Sequence, residues 1–308
     1  MQGKWKKLVL VLLVFSCVFT SVSIGSVTQA QAATKLYDVV FTKNKITIKK
    51  GHTYTLKMHY KDSVLSASKL NFKTSNSSVA SVSKKGVIKG KKVGTAKITV
   101  ILKNNTKVKT TITVKVTTKS QQVVQGGTVE TSYGVKIPVV SEFNTIGLVE
   151  GNDWTGEGTV GNDFDKAYGK ALQEYSEKAN YGIHDSPILP AGDDTIHNGT
   201  AYDEMGPVTL RRNTSKGCYY FYYTMDISDL NDDAIKRQRD LSLFMLSMIT
   251  STPTEVEKAI YETQYTAPNG KEPIPLDGSW AKIGDCEIKA TRWQPDPYMA
   301  EYAIRPCK

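Results

Sequence analysis

Five carboxylates fall within the stretch "EGNDWTGEGTVGNDFD": Glu150, Asp153, Glu157, Asp163 and Asp165, with Trp154 among them. Paired carboxylates beside an aromatic ring suit glycoside hydrolysis, in which one acid protonates the leaving oxygen and the other acts as base or nucleophile. The same Asp and Gly density suits a plain loop or a weak calcium site, although the spacing is not that of an EF-hand. A second polar stretch, "GIHDSPILPAGDDTIHNG", carries His184 and His197 with Asp185, Asp193 and Asp194. Histidine and aspartate are metal ligands, but these fit no helix-borne ligand spacing. Pro187, Pro190 and Gly192 mark a surface loop. No metal and no cofactor is expected. The chain has no G-x-S-x-G, which removes the serine-hydrolase elbow, and no C-x-x-C.

"GCYYFYYTMDI" (217–227) places four tyrosines and a phenylalanine in succession. On a strand, Tyr219, Phe221 and Tyr223 share one face, and Tyr220 and Tyr222 share the other. One face must be core. The other is either ordinary half-buried packing or a ligand platform, since tyrosine has an apolar body and a wet tip. On the platform reading, Tyr220, Tyr222 and Trp154 are the ligand contacts.

Beyond the N-terminal segment the cysteines are Cys218, Cys286 and Cys307, an odd number. "DCEIKATRW" and "YMAEYAIRPC" read as a β-hairpin around Pro295-Asp296-Pro297, which sets residue 286 opposite 306 or 307. A Cys286–Cys307 disulfide with Cys218 free is the expected pairing. Cys218 opens a strand rather than a helix, so no helix N-terminus activates its thiol.

These residues need a scaffold, and the second half supplies one by pattern. Phe164, Ala167, Tyr168, Ala171, Leu172, Tyr175 and Ala179 recur at helical spacing, with Asn162 as cap and Gly182 as stop. "GPVTLRRN" and "CYYFYYTMDI" read as strands joined by "TSKG". A second helix turns Leu241, Phe244, Met245, Met248 and Ile249 inward. A third starts at Thr252-Pro253 with Glu255 completing a capping box. Helix, strands, two helices and strands describe an α+β domain with an antiparallel sheet.

The first half reads differently. Lys4, Lys6 and Lys7 precede the apolar run Leu8–Phe15, and Ala30-Gln31-Ala32 is an A-x-A site, so residues 1–32 read as a secretory signal peptide. No later segment is apolar enough to span a membrane. From Leu36 to Val116, short runs alternate apolar and polar residues, with turn signals between them at Lys50-Gly51, Ser75-Asn76, Lys85-Gly86 and Asn104-Asn105. About seven short strands in ~80 residues is the pattern of an immunoglobulin-like β-sandwich.

"NFKTSNSSVASVSKKGVIKGKKVGTAKITV" resembles the bacterial Ig-like domain of group 2. The resemblance is carried by Phe72, Ser75-Asn76, Val79-Ala80-x-Val82, Gly86, Val87 and Gly94-Thr95-Ala96-x-Ile98. Phe72 stands where tryptophan is the commoner residue, which keeps an aromatic in the core. The resemblance implies a module of surface or secreted bacterial proteins, acting as a spacer or as an adhesive, glycan-contacting unit.

Charge separates the halves. Residues 33–117 hold 19 Lys, no Arg, two Asp and no Glu, a net of +17. Residues 130–308 hold 17 Lys and Arg against 28 Asp and Glu, a net of −11. A field of that density attracts polyanions, and Lys84, Lys85, Lys89, Lys91 and Lys92 are the candidate contacts. Lysine lacks the planar fork of arginine, so attachment should be salt-sensitive and unselective, with no specific nucleic-acid partner.

The organisation expected is therefore a signal peptide (1–32), an Ig-like sandwich (33–117), a linker (118–131) and an α+β domain (132–308). The function expected is a secreted, cell-surface protein that binds anionic cell-wall polymer or extracellular polysaccharide without catalysis. The alternative is a wall- or polysaccharide-directed hydrolase using the carboxylates around Trp154. A third reading is a structural component whose acidic and basic halves pair between copies, giving salt-sensitive self-association.

Overall fold

A computed structural model describes residues 35–38, 40, 44–61, 63–118, 124–148, 162–180, 189–191, 195–197, 208–214, 216–223, 232–265, 272–292 and 300–307. Its N-terminal part is built from β1 (Tyr37–Asp38), β2 (Lys45–Lys49), β3 (Thr53–Thr55), β4 (Met58–Tyr60), β5 (Ser63–Val64), β6 (Leu70–Thr74), β7 (Ala80–Val82), β8 (Val87–Gly90), β9 (Gly94–Leu102) and β10 (Asn105–Thr117). They form a four-stranded sheet in the order β2-β10-β9-β6 and two three-stranded sheets, β3-β8-β7 and β1-β4-β5. All described pairings are antiparallel except β2 with β10.

The alternation read from sequence decides what is inside. Ile46, Ile48, Ile88, Ile98, Val100, Ile112 and Val114 are buried, while their neighbours on each strand face outward. "TYTLKMHY", which reads as one strand, is two. β3 joins β8 and β4 joins β1, and the chain changes sheet at Leu56–Lys57. Asp38 fixes this crossover. Its buried carboxylate accepts bonds from the Tyr54 hydroxyl (2.6 Å), Lys57 N (2.8 Å) and Val40 N (3.0 Å). His59 is buried and stacked on Tyr37, because β4 lies between β1 and β5.

The C-terminal part adds β11 (Gln125–Glu130), β12 (Lys136–Val140), α1 (Asn162–Lys178), β13 (Leu189–Ala191), β14 (Thr195–His197), β15 (Val208–Asn213), β16 (Cys218–Tyr223), α2 (Asp232–Ser247), α3 (Pro253–Tyr265), β17 (Ala281–Ile283), β18 (Cys286–Arg292) and β19 (Ala300–Pro306). Strands plus helices are what an α+β assembly requires. β15-β16-β19-β18-β17 form one antiparallel sheet. Residues 125–130, read as linker, pair instead with β12, whose Ile137–Val140 are buried. Helix α1 ends at Lys178, before the expected Gly182, with Asn180 at a positive φ of 48°.

One face of the five-stranded sheet is core. Tyr219, Phe221, Ile288, Tyr302 and Ile304 are fully buried there. Each buried tyrosine hydroxyl has a partner: Tyr219 donates to Asn144 O (2.8 Å) and Tyr302 to Gln264 Oε1 (3.1 Å). Helices α2 and α3 are clamped by Arg239, whose Nε and Nη2 each reach a Glu257 carboxylate oxygen at 2.8 Å while the guanidinium lies 4.3 Å from the Tyr261 ring centre. The loop between these helices is tied to the β17–β18 turn by Asp285. Its carboxylate accepts from the hydroxyl of Thr250 and from Ser251 N (3.0 Å) and Oγ (2.8 Å).

Gly284 makes that junction possible. Its φ is +57°, and a Cβ there would lie 1.9 Å from Thr252 Oγ1. Gly284→Ala should therefore lower unfolding free energy by roughly 2–4 kcal/mol, read from urea denaturation. A second prediction concerns Asp240, a buried carboxylate whose Oδ1 accepts from Ser132 N (2.8 Å) and Oγ (3.2 Å). Burial raises its pKa to about 6. The folded chain then holds this proton more tightly than the unfolded chain. Its stabilising effect is complete below about pH 4 and is lost as pH rises through 6. The urea midpoint should fall across that interval, by the equivalent of roughly 2 kcal/mol for this group. Asp240→Asn, which keeps an acceptor for Ser132, should flatten that part of the profile.

Candidate functional site

The five candidate lysines lie along and beside β8, and all five are exposed. They do not form one patch. Lys84 and Lys85 occupy the β7–β8 turn, Lys89 projects from β8, and Lys91 and Lys92 follow its other end. At ~3.3 Å per residue the two pairs sit about 20 Å apart.

Two lysines not singled out from sequence join the second pair. Gly51 N donates to Gly90 O (2.8 Å) and Gly90 N to His52 O (3.0 Å), so the turn carrying Lys49-Lys50 lies against the one carrying Lys91-Lys92. Gly51 has φ +90°, the value that turn needs. Four exposed lysines thus meet at one end of the sandwich. The signal was present as "KKG" and "GKK", 40 residues apart, but only pairing brings them together. Of the two aspartates in residues 33–117, Asp38 is buried and bonded inward, and Asp62 lies outside the described residues.

The aromatic strand divides as its alternation requires. Tyr219 and Phe221 are core; Tyr220 and Tyr222 are half-buried on the opposite face. Arg211, Lys216 and Glu301 surround them. Arg211 Nη2 donates to Glu301 Oε2 (2.8 Å) and to the Tyr222 hydroxyl, which itself donates to Glu301 Oε2. The guanidinium carbon lies 4.5 Å from the Tyr222 ring centre and 5.7 Å from that of Tyr220. Lys216 Nζ donates to the Tyr220 hydroxyl at 2.9 Å. Farther along the same face Arg305 pairs with Glu287 directly across the strands (2.8 Å) and lies 3.7 Å from the Trp280 ring centre. This face is a ladder of paired charges and aromatic rings. Its arginines were legible only through strand register, since Arg211 stands opposite Tyr220.

Trp154, Glu150, Asp153, Glu157 and His184 lie outside the described residues, and the side chain of His197 is likewise not described. Asp163 is exposed in the first turn of α1. Asp165, half-buried beside it, has its carboxyl pushed up to about 6 by burial. Among the described residues no group of three His, Cys, Asp or Glu is arranged to hold a metal.

The disulfide expectation is corrected. The hairpin forms, but Cys286 pairs with Pro306. Cys286 therefore points into the core face with Ile288 and Ala290, and Cys307, one residue on, takes the other parity. Both are free thiols, as is Cys218. Cys307 opens onto a cleft of about 430 Å³ whose walls include Lys45, Thr47, Glu142, Lys282 and Asp285. Burial raises the pKa of all three thiols, that of Cys218 to about 11.

Residues 37–114 match the family model of the bacterial Ig-like domain (group 2), and domains of this family are typical of bacterial surface proteins. No curated protein matches the chain. No helix among the described residues is long and apolar enough to cross a membrane.

Native alkylation tests the thiol assignment. Iodoacetamide at neutral pH should modify half-exposed Cys307 and leave buried Cys218 and Cys286 until denaturant is added. Non-reducing peptide mapping that recovered Cys286 linked to Cys307 would contradict it.

Proposed function

We propose that this is an exported bacterial surface protein that attaches without catalysis to an anionic cell-wall polymer, with the Ig-like sandwich (33–117) as the tether. The observation that carries the reading is the unopposed charge of that sandwich. It has 19 lysines and two aspartates, and the aspartate described is turned inward. Exposed lysines without neighbouring carboxylates keep their field for an external polyanion. Lysine contacts of this kind act as point charges, so affinity depends on salt rather than on a fixed ligand geometry. In this reading residues 118–124 connect the tether to the part that begins at β11.

A second contact is supported by the open face of the C-terminal sheet. Tyr220 and Tyr222 lie there beside Arg211 and Lys216, which combines aromatic hydroxyls with cations in a half that is otherwise acidic. That combination suits a charged saccharide, with Trp154 as a further aromatic contact. The hydrolase reading draws on Glu150, Asp153, Glu157, Asp163 and Asp165, of which only Asp163 and Asp165 lie among the described residues, and no described geometry favours it.

The full chain should sediment with beads carrying an anionic wall polymer in low salt and be released by about 0.5 M NaCl, as screening shortens the Debye length to a few ångströms. It should ignore beads carrying a neutral glucan. Retention that does not respond to salt would remove this function.

A further inference from the structure

The register of the four-stranded sheet sorts the lysines in a way their sequence positions do not reveal. On its outer face, Lys73 of β6 stands opposite Thr99 of β9. Lys97 of β9 stands opposite Thr113 of β10. Lys115 of β10 stands between Thr95 of β9 and Thr47 of β2, and Lys49 of β2 stands opposite Thr117 of β10. Each step from Lys73 to Lys97 to Lys115 to Lys49 moves one strand across and one outward-facing position along, always in the same sense. The four therefore form a straight diagonal file over all four strands. With strands ~4.8 Å apart and outward positions ~6.7 Å apart, successive Cα atoms are ~8 Å apart and the file runs about 25 Å.

All four lysines are exposed, and each has a threonine as its cross-strand partner. The strands that make the sheet, "KITIK", "NTKVKTTITVKVT", "GTAKITVIL" and "LNFKT", contain no acidic residue. The file ends at Lys49, inside the cluster with Lys50, Lys91 and Lys92. A lone cluster of charge would hold any anion. A straight, evenly spaced file flanked by hydroxyl donors is matched to a linear chain whose charges recur at similar spacing, and lysine with threonine is a usual pair of phosphate contacts.

Resting on the attachment reading above, we infer that this diagonal file is the binding track for a linear polyol-phosphate polymer, which lies obliquely across the strands and ends in the Lys49–Lys50–Lys91–Lys92 cluster. The ammonium groups neutralise successive phosphodiesters, and the threonine hydroxyls donate to their oxygens.

The test uses the full chain and soluble poly(glycerol phosphate), with binding measured at several salt concentrations. One variant replaces Lys49, Lys73, Lys97 and Lys115 by Gln. A charge-matched variant replaces Lys61, Lys69, Lys103 and Lys107, which are exposed but off the file. All eight positions are surface positions, and circular dichroism checks that both variants fold. The file variant should bind at least ten-fold more weakly near 0.1 M salt, with its slope of log affinity against log salt reduced by roughly 3, as expected for four lost phosphate contacts. The charge-matched variant should lose less than about three-fold. Equal losses in the two variants would overturn the track while leaving salt-dependent attachment in place. A wild-type chain that does not bind the polymer in low salt would remove both. Preference for a single-stranded oligonucleotide of equal charge over the polyol phosphate would overturn the assigned occupant.

Discussion

The pairing of Cys286 with Pro306, Tyr219 with Ile304 and Lys97 with Thr113 sets which side chains face inward on both large sheets. A shift of one residue in any of these pairs would exchange the two faces of a strand. Tyr219 and Phe221 would go to solvent, and Lys97 would enter the core. Two carboxylates, buried Asp38 and half-buried Asp285, hold the chain where this order is hardest to keep. Asp38 gathers three donors at the point where a strand changes sheet, and Asp285 gathers donors from the loop between α2 and α3 at the β17–β18 turn. At Asp38, buried and bonded to several backbone and hydroxyl donors, disruption is costly, because any rearrangement strands a charge away from water.

Arginine and lysine divide the work between the two parts of the chain. In the C-terminal part, Arg211, Arg239 and Arg305 each meet a glutamate and an aromatic ring, so their planar heads are consumed in holding elements together. The N-terminal sandwich has lysine as its basic residue, and every described lysine there but Lys57 is exposed on its flexible stem. The first pattern makes a fixed surface and the second makes a field. Tyr220 and Tyr222 belong to the fixed surface. Their hydroxyls are tied to Lys216, Arg211 and Glu301 before any ligand arrives, and such preorganisation favours a ligand that fits existing polar positions.

Much of the fold was legible because strong periodicity was present. The inward residues Leu241, Phe244 and Met245 of α2, and the alternation of Ile46 and Ile48, are where the pattern puts them. Legibility failed where the determining contact is distant in sequence. The division of "TYTLKMHY" into two strands depends on Asp38, and α1 stops at Lys178, short of the glycine expected to end it. The thiol pairing failed on parity: the hairpin was evident, but its register was not, and one residue separates a bridge from two free cysteines. The same holds for the site. Lys84, Lys85, Lys89, Lys91 and Lys92 stand out as a run, whereas Lys49, Lys73, Lys97 and Lys115 are spread over four strands and align only after pairing.

A sandwich with so many lysines and an inward-turned acid carries its own repulsion into the folded state. Whatever neutralises those lysines stabilises the fold, and a polymer bound only by the native sheet does so in proportion to its occupancy. Attachment and durability then become the same variable. On the attachment proposed above, a sandwich seated on polymer would open rarely, and one shed into dilute medium would open more often and meet proteases in that state. On that attachment, residence at the surface would thus set the lifetime of the protein.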